Sequence, residues 1–136
     1  MSNILDKLMD KDIDTLKETA KEDIEVTRLS EALGEPFIVT VKELSYKRIQ
    51  DLKMLSADKN GILDEKQFVE MLVTDAIVSP DFNNKELLQK FKVPSKQALF
   101  AKLFKAGELE NIGKRVTSLS GFDTGSIKKV VNEVKN

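Results

Sequence analysis

The side chains that most often do chemistry are missing from this chain: among its 136 residues there is no histidine and no cysteine. Ser-His-Asp and Cys-His nucleophilic arrangements cannot be built, nor can the usual zinc sites, whose ligands are imidazole and thiolate. Disulfides are excluded with them. What remains is carboxylate and lysine chemistry, drawn from 23 Asp and Glu and 22 Lys and Arg. At that density acidic pairs fall on any solvated helix face, and no pair is set apart as a general acid and base. Asp58-Lys59-Asn60-Gly61 has the opening of a calcium loop, which needs oxygen ligands at positions 1, 3 and 5, glycine at 6 and glutamate at 12. Counted from Asp58, positions 5, 6 and 12 hold Ile62, Leu63 and Val69, so the segment reads as a turn. Gly107 and Gly113 stand six apart but lack the Lys-Ser/Thr ending of a phosphate-binding loop. The expectation is a non-enzymatic binding protein without metal or cofactor.

Binding chemistry is better represented. Between Lys85 and Lys105 the lysines at 90, 92, 96 and 102 alternate with Phe91, Phe100 and Phe104. Positive charge interleaved with aromatics is one signature of nucleic-acid binding. A whole-chain pI near 5.6 and phenylalanines at core spacings weigh against it. A nucleic-acid-binding or regulatory protein is therefore the alternative reading. Charge is also unevenly spread. Residues 1–27 carry 4 basic and 8 acidic side chains, residues 28–84 carry 7 and 10, and residues 85–136 carry 11 and 5. An acidic front and a basic rear can steer a partner or a second copy of the chain.

These residues need elements to position them. A chain of this length buries roughly two thirds of the surface its unfolded form exposes, enough for one core. No apolar run approaches the ~20 residues of a membrane span, and the start carries no signal-peptide pattern, so a cytoplasmic protein is expected. Ile4, Leu5, Leu8, Met9, Ile13 and Leu16 predict an amphipathic helical segment over residues 1–22. It is open to ordering on a partner or packing on its own domain. Residues 23–136 then read as a single domain. Ile24–Leu29 and Phe37–Val41, separated by the turn residues Glu31 to Pro36, predict a β-hairpin. Ser45, Asp64, Asn84 and Ser95 are placed to cap helices, with Asp64 and Gln67 spaced as a capping box. Further helices are predicted from Leu109 to Leu119, after a break at Ala106-Gly107, and from Asp123 with Ile127, Val130, Val131 and Val134 on one face. The predicted fold is α+β and predominantly helical, an N-terminal hairpin packed on a C-terminal bundle of short helices.

In the second half, the order of short motifs carries a resemblance. Val93-Pro94-Ser95 precedes Leu99-Phe100-Ala101-Lys102-Leu103-Phe104-Lys105-Ala106-Gly107-Glu108-Leu109; Val116-Thr117-Ser118-Leu119-Ser120-Gly121-Phe122 follows, and the chain ends Val131-Asn132-Glu133-Val134-Lys135-Asn136. Over roughly residues 23–136 this resembles the XkdN-like phage tail assembly chaperones. The resemblance implies binding to the tape measure protein, which the chaperone keeps soluble during tail assembly, with the tail tube protein as a second candidate partner. It also implies departure before the virion matures and, in many tail systems, a longer product made by ribosomal frameshifting. On physical grounds such a protein needs an apolar groove bordered by charge. Leu99, Phe100, Leu103 and Phe104, bordered by Lys96 and Lys102, are the candidate residues, against the alternative that they fill the core. Self-association through the exposed edges of Phe37–Val41 is a further expectation.

Overall fold

The computed structural model describes residues 3–123 and 125–131. Its order is α1 (Ile4–Asp10), α2 (Ile13–Leu16), β1 (Lys21–Glu25), α3 (Thr27–Leu33), β2 (Ile38–Lys42), α4 (Tyr46–Leu55), α5 (Glu65–Ala76), β3 (Ile77–Ser79), α6 (Lys85–Lys90), α7 (Lys96–Leu103) and α8 (Ala106–Thr117). A wide helical turn over Ser118–Phe122 follows α8. The fold is α+β with helix dominating, as the sequence predicts.

The alternating run around β2 forms the middle of a three-stranded antiparallel sheet, ordered β1-β2-β3. Val39 and Val41 point inward and are fully buried, while Ile38 stands on the outer face. β1 pairs along its whole length, from Lys21 opposite Lys42 to Glu25 opposite Ile38. β3 covers the other side, Val41 facing Ile77 and Thr40 facing Ser79 with a register irregularity between them. β2 is therefore the central strand, covered by β1 along its whole length and by β3 at Thr40 and Val41, so the stretch Phe37–Val41 does not present two exposed edges. The sheet edges are β1, four of whose five residues are charged, and the short β3. Both are features that discourage edge-to-edge pairing.

The hairpin is displaced from its predicted position. Its first strand ends at Glu25, and the stretch expected to continue it forms α3. Val26 and Leu29, three residues apart, are both buried, a helical spacing that overrides local β propensity. The Val26 amide still reaches back to the Phe37 carbonyl at 3.0 Å. Gly34 then ends the helix at φ 76°, a left-handed conformation glycine adopts without steric cost.

The predicted caps form. The side chains of Ser45, Asp64, Asn84 and Ser95 accept from the amides of Arg48, Gln67, Leu87 and Ala98 at 3.0 to 3.2 Å. Each such cap contributes about 1 kcal/mol. α5 is the central helix, packed against α4, α7 and α8. Its Leu72, Val73 and Ala76 join Val39, Val41, Leu99, Phe100, Ile112 and Val116 in one core. The break before α8 falls at Phe104-Lys105, and Ala106 and Gly107 already belong to the helix. The helix expected to start at Asp123 is not formed among the described residues, where residues 125–131 hold a turn at Gly125 and no helix. Ile127, Val130 and Val131 are exposed there, so no apolar surface stabilises a helix; Thr124 and Val134 lie outside the described residues.

Candidate partner-binding site

Four phenylalanines decide what α7 can offer to a partner. Phe100 and Phe104 lie with ring centroids 5.4 Å apart, Phe82 meets Phe100 edge-on at 5.0 Å, and Phe37 approaches Phe82 and Phe104 at 6.2 and 6.3 Å. Leu99 and Phe100 have no exposed surface, and Phe104 is 4% exposed. Three of the four apolar residues expected to line a groove are thus committed to the core. The reason is supply: there are 7 Phe, 1 Tyr and no Trp, and a small domain needs its large side chains inside. The same burial removes Phe100 and Phe104 as stacking platforms for bases. Phe82, in the loop between β3 and α6, completes the cluster; nothing in its neighbourhood Ser79-Pro80-Asp81-Phe82 signals a core position.

Leu103 is half-buried against the core, whereas the two expected border lysines face different neighbours. The Lys102 ammonium donates to the Phe91 carbonyl at 2.8 Å, bracing α7 against the end of α6. Lys96, one turn and a half away, lies in the field of Asp75 on α5. The six residues do not converge on one opening.

A groove does exist, on the adjoining face between α5, α7 and α8. It encloses about 420 Å³ and its apolar lining is Val69, Ala101, Phe104, Ala106 and Leu109. Its charged lining is Glu65, Lys66, Glu70 and Glu110. Only Phe104 of the predicted set reaches it, and the border is mainly acidic instead of basic. Among the described residues none of these three carboxylates is in an ion pair. A larger depression of about 790 Å³ lies beside α4, but Lys17, Lys21, Lys42, Glu43, Arg48 and Asp75 make its lining mostly polar. Among the described residues no group of three or more acidic side chains could hold a metal ion. No helix of the described residues is long and apolar enough to cross a membrane.

A fork of hydrogen bonds ties distant segments together. Arg28 on α3 donates from Nε and Nη2 to both carboxylate oxygens of Glu108, each at 2.9 Å, and from Nη2 to the Leu103 carbonyl at 2.8 Å. Glu108 also accepts the Lys105 amide at 2.8 Å, closing the start of α8. The hydrogen-bonded Arg28 guanidinium holds the Glu108 carboxyl below the usual carboxylate range. Two further forks work alike: Arg115 with Glu22 joins α8 to β1, and Arg48 with Asp75 joins α4 to α5.

The short motifs of the second half prove to be joints. Glu108, in the Gly-Glu stretch, is the fork acceptor. Ser120, in the Ser-Gly-Phe stretch, donates to the Val116 carbonyl at 2.8 Å and accepts the Leu44 amide at 3.0 Å, fastening the final turn beside the end of β2. Gly121 takes φ 91°, where a side chain would be strained.

The result is a small helix-dominated α+β domain whose short second-half motifs serve packing and whose apolar opening lies between helices. The chain belongs to the Phage XkdN-like tail assembly chaperone protein family, which it matches over residues 5–135. The match takes in α1 and α2, which the order of motifs alone leaves outside. Among solved structures it is similar to one described as the crystal structure of the protein yqbn, at 24% identity and a TM-score of 0.55, covering 76% of this chain and 87% of that one. At that identity the likeness establishes the fold. Comparison with curated proteins finds no match.

Proposed function

We propose that this tail assembly chaperone binds an amphipathic helical segment of the tape measure protein in the groove between α5, α7 and α8, keeping it soluble until the tail tube forms around it. The observation that carries the reading is the groove itself: an apolar floor of Val69 and Leu109 under an acidic rim, in a member of a tail chaperone family. Helix-in-groove docking needs this combination. The rim favours a client helix flanked by Lys or Arg. In this reading the protein acts without catalysis in the cytoplasm of the host and is absent from the finished virion. The tail tube protein is a secondary partner, and Leu103, Lys96 and Lys102 have at most a peripheral role. The expected division at residue 22/23 would cut β1, so in this reading the binding domain starts at Lys21 and residues 1–20 are the appended segment.

The test is co-expression with the tape measure protein of the same tail gene cluster, followed by a solubility assay and a pull-down. Wild type should bring the partner into the soluble fraction. Ala101→Arg and Ala106→Arg, at exposed positions in the groove, should leave it insoluble. A tape measure protein that stays insoluble with wild type sinks the client assignment, and one rescued equally by both arginine variants sinks the groove.

A further inference from the structure

The outer face of the sheet is open to solvent, and at one end it is cationic. Val39, Val41 and Ile77 turn into the core, so alternation sends Ile38, Lys42 and Val78 outward, where Ile38 and Val78 are 49% and 43% exposed. Lys21 stands directly opposite Lys42 across the β1 and β2 ladder, which puts both side chains on that same face. Like charges so placed destabilise a strand pair. The two lysines border the depression of about 790 Å³ beside α4, whose other cations are Lys17 and Arg48 and whose carboxylates are Glu43 and Asp75. Asp75 is committed to Arg48 by the fork at 2.7 and 2.8 Å, so those two charges cancel. Lys17, Lys21 and Lys42 are in no ion pair among the described residues. Glu43 is their single counter-charge in the lining, which leaves a positive excess in a chain of net charge −1.

The chemistry of the lining narrows what fits there. It contains no aromatic ring, so it offers no platform on which a base could stack. Its apolar residues Leu44 and Val78, set among ammonium groups, instead match a segment that carries carboxylates around an apolar side chain. We infer that the depression is a second docking site, which takes an acidic segment of a partner protein: carboxylates against Lys17, Lys21 and Lys42, and an apolar side chain against Val78. Occupancy does not depend on the α5/α7/α8 groove. Glu65 lines the groove at the start of α5 and Asp75 lines the depression near its end, ten residues or about 15 Å away. The two openings are also of opposite sign, so a basic client helix in the groove leaves this site free.

Fluorescence anisotropy of the full chain reads the site with a labelled peptide of about a dozen residues in which glutamate and leucine alternate. Wild type should bind it, and less tightly as salt rises. Lys21→Gln with Lys42→Gln should weaken binding about tenfold or more while the thermal midpoint holds or rises, because the repulsion across the strand pair is relieved. Lys85→Gln with Lys90→Gln makes the same change of net charge at exposed positions on α6 and should leave binding unchanged. A peptide with serine in place of leucine should bind several-fold less. No binding by wild type overturns the inference, as does an α6 control that weakens binding as much as the strand pair or a serine peptide that binds equally. Tighter binding of an oligodeoxythymidine of equal charge would make this a phosphate-backbone site instead. Binding that appears only after Asp6, Asp10, Asp12 and Asp14 are changed to Asn would assign the depression to the chain's own N-terminal segment; either result overturns the assignment to a partner protein.

Discussion

Arg28 and Glu108, 80 residues apart in sequence, meet in a two-bond fork at 2.9 Å, and the same guanidinium caps the carbonyl of Leu103. One side chain thereby fixes where α3, the end of α7 and the start of α8 lie relative to each other. Glu108 is itself held by the Lys105 amide, so its carboxylate has little freedom to satisfy a different partner. Glu108→Ala should lower the thermal midpoint clearly. Asp51→Ala, which breaks only the exposed Lys47–Asp51 pair within α4, should stay within about 0.5 kcal/mol of wild type. Circular-dichroism melts of the two variants decide it, and equal effects would remove the fork's special standing.

The position of Phe100 separates core from groove. Phe100→Ala should cost about 3 to 5 kcal/mol, the range for emptying a buried aromatic site, whereas Leu103→Ala should cost much less. Urea unfolding measures both. A mild Phe100→Ala would mean that the aromatic cluster relaxes around the gap and that α7 is not held by it.

Gly113 lies in α8 where that helix crosses α5, yet a methyl group there would sit 3.7 Å from Val69 Cγ1 and 3.8 Å from Leu72 Cδ2. Those are ordinary contact distances. Gly113→Ala should therefore stabilise the protein by about 0.5 to 1 kcal/mol through helix propensity, while a leucine at the same position should force the helices apart and destabilise it. A destabilising alanine would show that the crossing tolerates no added atom.

Three carboxylates, Glu22, Asp75 and Glu108, are held below the usual carboxylate range, in each case first by hydrogen bonds from an arginine: Arg115, Arg48 and Arg28. A folded-state pKa below the unfolded one means the contribution is fully present above the unfolded value and is lost as pH falls through the folded value. The thermal midpoint should hold nearly level between about pH 6 and 8, since there is no histidine to titrate, and fall below about pH 4. Asp75→Asn should cost about 1 kcal/mol at neutral pH, modest because the Arg48 side chain is nearly half exposed, and should shallow the acid limb. A main transition between pH 5.5 and 7.5 would contradict this assignment.

The N-terminal helices contribute no buried residue to the domain; Ile4, Leu5, Leu8, Met9, Ile13 and Leu16 are all 48% exposed or more. Removing residues 1–16 should leave the unfolding midpoint of the remainder unchanged within about 0.5 kcal/mol, as for surface changes generally. A large drop would reveal a packing role for this face.

Much of the fold was legible because it rests on local chemistry. Ser45, Asp64, Asn84 and Ser95 cap helices wherever they precede a suitable run, since each satisfies amides only a few residues away. The alternation at Phe37–Val41 makes a strand in any half-buried setting, and the absence of histidine and cysteine excludes whole chemistries without any structure. The order of leucine, glycine and serine motifs was enough to indicate the family.

Other features were settled only by segments distant in sequence. Lys21–Glu25 is too charged to look like a strand, and becomes one because β2 supplies the hydrogen-bonding edge. Val26–Leu33 looks partly like a strand, and becomes a helix because the core accepts Val26 and Leu29 on one side. Phe82 has no local reason to be buried and is drawn in by Phe37 and Phe100. Which face of α7 stays open could not be read for the same reason. Spacing puts Leu99, Phe100 and Phe104 on an apolar face of α7, but only the packing of α5 and α8 decides that this face points inward and that the opening beside it is bordered by glutamates. Periodicity records which residues avoid water; which neighbours shield them is a property of the whole chain.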